Sequence, residues 1–204
     1  MRRLIFAIFL SLSLCGCFLC GPSEPSVPHS PHTPHNPSAE NAPNTKPHPA
    51  PHAANVIDCP EEIANKAFDF AVLYSQADTE YVWGGQDPLR TIQLDCSGLV
   101  IRCYQYALEG TDYTLLLSVM ASSYMCESAS THVQLQEMRH GDLLFMGDKG
   151  KGKTVNHIAI FDCIENGRIY FIDCTNTVNK VSRRSYPVDD THFKYFGMML
   201  VKAR

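Results

Sequence analysis

The chain has 204 residues and a mass of 22.8 kDa, enough for one ordinary domain with appendages. At 45% hydrophobic and 19% charged it has the balance of a globular protein, and a net charge of −4 removes any generic electrostatic case for nucleic acid. No apolar run reaches the roughly 18–20 residues of an ordinary membrane-spanning helix.

Met1-Arg2-Arg3 gives a short positive start, and Leu4 to Leu14 is apolar apart from Ser11 and Ser13. A charged start, a short hydrophobic middle and small residues near a cut site are the layout of a secretory signal. Eleven helical residues reach only about 16 Å, short of a hydrocarbon core of about 30 Å. Leu14-Cys15-Gly16-Cys17 resembles a bacterial lipobox. That resemblance implies a lipoprotein signal peptide over residues 1–16, with Cys17 lipidated and left as the new N-terminus. Its acyl chains would hold the protein on a membrane surface without spanning it; simple cleavage and release is the alternative.

Pro22 to Asn55 holds ten of the thirteen prolines and five of the nine histidines (His29, His32, His35, His48 and His52), with almost no large apolar side chain. Such a segment cannot offset the entropy of ordering by burying surface, so residues 17–55 are expected to be a disordered, lipid-anchored linker. Proline density favours extended polyproline II, giving a reach on the order of 100 Å. Composition favours a solvated spacer; a low-affinity zinc or copper buffer built on the Pro-His repetitions is the other reading.

Val56 to Arg204 is of single-domain size. Asp58-Cys59-Pro60-Glu61 predicts a helix start, with Asp58 as cap and proline in the first turn. Ile63, Ala67, Phe70, Ala71 and Tyr74 then recur at helical spacing. Gly84-Gly85 and Asp87-Pro88 mark a loop. A second helix is expected from Cys96 or Ser97, with Leu99, Val100, Cys103, Tyr106 and Ala107 on its buried face and Gly110 ending it. Thr111 to Gln136 reads as short helix and loop. Asp142–Met146, His157–Cys163, Ile169–Cys174 and Tyr195–Lys202 read as strands, and Glu165-Asn166-Gly167 as a hairpin turn. Helices followed by antiparallel strands give an α+β fold.

Cys96 stands at the expected N-terminus of an apolar helix, where backbone N–H groups and the helix dipole favour a thiolate. A nucleophilic cysteine also needs an imidazole within reach. His157 opens a strand, on the face of Ala159 and Phe161; Asp173 lies on the next strand, on the face of Ile169 and Phe171. A hairpin between these strands would make His157 and Asp173 neighbours, and the carboxylate would fix the imidazole's tautomer. Alone, a cysteine and a histidine are weak evidence, since most free cysteines are small core residues.

Four motifs in order strengthen the case: Tyr81-Val82-Trp83-Gly84-Gly85, Asp95-Cys96-Ser97-Gly98-Leu99-Val100, Arg139-His140-Gly141-Asp142-Leu143-Leu144-Phe145 and His157-Ile158-Ala159-Ile160-Phe161. In this pattern the segment from Val56 to Arg204 resembles the NlpC family of bacterial cell-wall cysteine peptidases. The resemblance implies a papain-like α+β domain over residues 56–204, with the nucleophile helix packed on an antiparallel sheet. It also implies hydrolysis of peptidoglycan stem peptides, next to D-γ-glutamate, by Cys96 as nucleophile, His157 as base and Asp173 as orienting residue. The third position in the family is commonly His, with Asn or Gln also occurring. By the same resemblance Tyr81 lines the site, and Asp95 and Ser97 meet the ammonium of a free stem; a helix cap is the other reading of Asp95. Trp83 is expected to be a packed indole beside a tight loop whose backbone needs positive φ. The family's Arg-x-Ser stretch after the nucleophile helix is not evident, which bears on substrate choice. No cofactor or metal is called for. A monomer in the bacterial envelope, held by its lipid and facing periplasm or surface, is expected.

Gly147-Asp148-Lys149-Gly150-Lys151-Gly152-Lys153-Thr154 matches the phosphate-loop pattern G-x-x-x-x-G-K-T. That loop must open a helix, whereas Val155 to Asp162 alternates like a strand, so a glycine-lysine turn is expected and no nucleotide. Besides Cys96, five cysteines (Cys59, Cys103, Cys126, Cys163 and Cys174) leave an odd thiol and no deducible pairing, with Cys103 expected as a buried free thiol. Two other functions fit the same fold: a noncatalytic peptidoglycan-binding or scaffold lipoprotein, and an amidase of the related CHAP type.

Overall fold

A computed structural model describes residues 55–87 and 92–204. The signal over 1–16, Cys17, nearly all of the 17–55 linker and Pro88 of the expected loop lie outside the described residues.

The elements run β1 (Val56–Asp58), α1 (Glu61–Gln76), β2 (Thr79–Tyr81), β3 (Gln86–Asp87), β4 (Ile92–Leu94), α2 (Cys96–Ala107), β5 (Tyr113–Leu115), α3 (Ser122–Ser128) and β6 (Ser130–Val133). After a 3₁₀ turn at Leu135–Glu137 come β7 (Leu143–Met146), β8 (His157–Glu165), β9 (Arg168–Thr175), β10 (Lys180–Pro187) and β11 (Phe193–Ala203). The main sheet is antiparallel, in the order β1-β11-β7-β8-β9-β10, with β5 and β6 also pairing on the long β11. A small second sheet sets β4 between β2 and β3. The α+β expectation holds.

Both faces of the main sheet are covered, which explains why β8 is apolar almost throughout. Ile158 and Ile160 point into the larger core with Ile172 and Cys174, against Leu99, Val100, Cys103 and Tyr104 of α2. Ala159 and Phe161 point the other way, into a smaller cluster with Leu144, Met146, Ile169 and Phe171, flanked by Tyr186 and Phe193. The Asn166-Gly167 turn, with φ of 50° and 70°, joins β8 to β9 as a hairpin with Glu165 opposite Arg168.

Several local expectations are corrected. Asp58 is no helix cap: it ends β1, opposite Leu200, and accepts a 2.5 Å hydrogen bond from Thr131 Oγ1. Pro60 precedes α1, whose first turn carries Glu61 and Glu62 at the favourable end of the helix dipole. In α1, Phe68 is buried and Phe70 only partly so. α2 begins at Cys96 as expected, but it is covered on more than one face, so Ile101 and Tyr104 are buried as well. Within 111–136 two short strands escape the sequence reading because they exist only as partners of β11. β10 escapes it too: Lys180-Val-Ser-Arg-Arg-Ser-Tyr-Pro187 is polar and ends in proline, the composition of an edge strand.

Arg139-His140-Gly141-Asp142 forms a structural joint. Arg139 pairs with Asp142 at 3.1 Å and donates to the Cys59 carbonyl, while the Tyr104 hydroxyl donates to the Gly141 carbonyl at 2.8 Å. α1, α2 and the start of β7 are thereby tied together at the base of the sheet. The glycine-lysine segment is a connection from β7 to β8, with no helix behind it, as expected. Lys194 of β11 holds it, donating to the carbonyls of Asp148, Lys151 and Thr191 at 3.0, 3.0 and 2.7 Å.

Candidate active site

Cys96 is the first residue of α2, and the turn before it is held by Asp95 in an extended conformation. Asp95 Oδ1 accepts from the Gly98 amide at 2.6 Å and from Ser97 Oγ at 2.9 Å; Oδ2 accepts from the Gly84 amide at 3.0 Å. One carboxylate therefore caps α2 and anchors the Trp83-Gly84-Gly85 turn. Gly84 has φ of 72°, as that turn was expected to require. Gly98 lies so close beneath the turn that a Cβ there would meet the Gly85 carbonyl oxygen at 2.3 Å.

His157 begins β8, and its Nε2 lies 2.7 Å from Asp173 Oδ2 on β9. This is the neighbourhood the hairpin register promised. With Nε2 taken by the carboxylate, Nδ1 is the ring nitrogen left for a thiol. Burial works against the charged imidazole, but the Asp173 bond and the proximity of Cys96 outweigh it and push its pKa up to about 9. Burial would raise Asp173, yet its bonds to His157 and Arg184 hold the carboxyl below its ordinary value.

Arg184 is the residue that sequence reasoning missed. Its Nε donates to Asp173 Oδ1 at 2.9 Å and its Nη2 to Oδ2, a two-pronged grip on a fully buried carboxylate. It sits on β10, so the polarity that hid the strand hid the arginine. The available signal was the alternation Ser182, Arg184, Tyr186 along one face.

Cys96, His157 and Arg184 line one cleft of about 730 Å³, together with Tyr81, Trp83, Lys149, Tyr186 and other residues. Burial, Cys96 and Asp95 all push the Tyr81 phenol pKa upward. Asp95 and Ser97 flank Cys96 and are bonded to each other; Asp95 is engaged by the cap on Gly98 and by the Gly84 turn. Trp83 departs from expectation. It is 85% exposed at the cleft instead of packed, because the anchored turn carries it away from both cores. All six cysteines of the described domain are free, and Cys103 is buried as expected. Among the described residues no group of three or more His, Cys, Asp or Glu is placed to hold a metal ion.

The NlpC/P60 family model matches residues 78–203, which include Tyr81, Cys96, His157 and Asp173. The chain belongs to the NlpC/P60 family. Within curated proteins it is 31% identical over 90 residues to the bifunctional muramidase/DL-endopeptidase CwlT of Bacillus subtilis (strain 168), covering 44% of this chain and 24% of that one. It is 34% identical over 96 residues to protein P54 of Enterococcus faecium, covering 47% and 16%. The chain thus spans a quarter or less of the curated relatives it matches. NlpC1 from Trichomonas vaginalis has a similar fold, with a TM-score of 0.52 at 18% identity over 74% of this chain and 46% of that one. The NlpC/P60 fold accounts for the arrangement seen here, a cysteine-bearing helix packed on an antiparallel sheet.

Proposed function

We propose that this protein hydrolyses peptide stems of the bacterial cell wall with Cys96 as nucleophile, cutting next to D-γ-glutamate. The observation that carries the reading is the 2.7 Å contact of His157 with Asp173, in a cleft that Cys96 shares. Membership of the NlpC/P60 family and the partial match to a DL-endopeptidase support it.

In this mechanism the Cys96 thiolate attacks the scissile carbonyl carbon and forms a carbon–sulfur bond, with the Cys96 amide at the helix start facing the oxyanion. His157, as imidazolium, gives its proton to the leaving amine as the carbon–nitrogen bond breaks. A water then loses its proton to His157 and attacks the thioester, releasing a carboxylic acid and restoring the thiolate. Asp173 orients the ring and balances its charge. Tyr81 contacts the stem from the cleft wall. Asp95 and Ser97 meet the ammonium group of a free stem. A lipid on Cys17 and the Pro/His-rich linker keep a monomeric enzyme at the envelope, facing periplasm or surface.

The test is incubation of the purified protein with defined muropeptides, read by mass spectrometry, with Cys96→Ala alongside. Cleavage by the wild type and none by the variant supports the reading, and the product masses name the bond. A folded wild type that binds but cleaves no stem is instead a binding or scaffold protein, and release of an intact stem from the sugar makes it an amidase.

A further inference from the structure

We propose that Arg184 is a positioning residue of this site: its guanidinium fixes the Asp173 carboxylate in the orientation His157 requires and shares its charge. The inference rests on reading Cys96 and His157 as the reacting pair.

Asp173 Oδ2 faces two cations at once, His157 Nε2 at 2.7 Å and Arg184 Nη2, while Oδ1 takes Arg184 Nε at 2.9 Å. A carboxylate gripped along both oxygens cannot rotate about its last bond, so the lone pair offered to the imidazole has a fixed direction. The arginine is itself held. Its Nη1 donates to the Tyr186 hydroxyl at 3.1 Å, and the guanidinium lies 5.5 Å from the ring centres of both Phe171 and Tyr186. Strand register explains its reach: Ser182 is opposite Asp173 and Arg184 opposite Phe171, so Arg184 approaches Asp173 diagonally on the same face.

The charge matters as well as the geometry. A buried aspartate with imidazolium as its only partner would hold the ring proton tightly, and that proton must pass to the leaving amine. A second cation on the same oxygen loosens the hold. Asp173 from β9 and Cys96 from α2 bear on His157 directly, Arg184 from β10 bears on Asp173, and Tyr81, Asp148, Lys149, Tyr186 and His192 share the cleft with the ring.

The experiment is a ¹³C-imidazole NMR titration of His157 in the full chain, assigned with His157→Gln, together with kcat and KM on muropeptides. Arg184→Gln should raise the His157 midpoint by about one pH unit and lower kcat more than it raises KM. Arg184→Lys keeps the charge and loses the fork, so it should leave the midpoint within a few tenths of wild type while kcat falls roughly tenfold. In an Asp173→Asn background, Arg184→Gln should no longer move the midpoint. Folded Arg184 variants, matched to wild type by near-UV circular dichroism, with unchanged midpoint and unchanged kcat would overturn the proposal. A wild type that cleaves no muropeptide, with the midpoint still moved by Arg184→Gln, would overturn the hydrolase reading and leave the positioning role standing.

Discussion

Gly98 and Gly85 touch across the start of α2, with the Gly85 carbonyl oxygen only 2.3 Å from where a Cβ on Gly98 would stand. The Trp-Gly-Gly and Asp-Cys-Ser-Gly motifs are therefore two halves of one contact, and Asp95 bonds both. Gly98→Ala should push the turn off the helix. The expected cost is about 1–3 kcal/mol, at about 2–4 °C of Tm per kcal/mol, with loss of most stem cleavage. Thermal unfolding and a cleavage assay check both.

Asp95 separates a structural role from a substrate role by charge. Asp95→Ala removes the cap and should cost about 1–2 kcal/mol. Asp95→Asn keeps a capping oxygen and should stay near wild-type stability. If Asp95 also meets the ammonium of a free stem, Asp95→Asn raises KM for stems with a free amine and not for N-acylated ones. Steady-state kinetics on the two substrates decide it.

The His157–Asp173 pair makes stability depend on pH in a stated direction. His157 is raised from 6.5 to about 9, so its contribution is complete below pH 6.5 and is lost as pH rises through about 9. Asp173 is lowered from 3.8, so its contribution is present above pH 3.8 and disappears as pH falls through the lower folded value. Urea unfolding midpoints should therefore fall between pH 6.5 and 9 in the wild type. Asp173→Asn should flatten that decline.

Thiol chemistry should distinguish Cys96 from its neighbours. Burial pushes Cys59, Cys126 and Cys174 up to about 12, and pushes fully buried Cys103 upward as well. Iodoacetamide at neutral pH should modify Cys96, and the half-exposed Cys163 more slowly, while these four resist. Peptide mass spectrometry over time reads the order, and early labelling of Cys174 would contradict the packing around β9.

Trp83 is the one tryptophan of the chain, so its fluorescence reports on the cleft directly. With 85% exposure it should emit as a solvated indole and be quenched freely by iodide. Trp83→Ala should change stability by no more than about 0.5 kcal/mol. Adding stem peptide to the Cys96→Ala protein should shift the emission.

The features legible in the sequence were those encoded over a few neighbouring residues. Asp95 before Cys96, the Asn166-Gly167 turn and the alternation through His157 each act within about four positions, and each stands in the folded domain where it was read. The placement of His157 beside Asp173 followed from them, because a hairpin turn fixes register. Asp58 had an equally good local signal as a helix cap, but pairing with β11 across 140 residues of chain outweighed it. Trp83 carried the composition of a packed indole, and only the anchoring of its turn on Gly98 left it in solvent. Arg184 had only the weak alternation of Ser182, Arg184 and Tyr186 as a local signal, since a polar edge strand is specified by the strand it pairs with. Sequence alone placed Cys96 at the start of a helix and His157 on a hairpin beside Asp173. Tertiary structure decided what grips the aspartate and what stands exposed at the cleft, because those contacts join segments that do not influence one another until the sheet has formed.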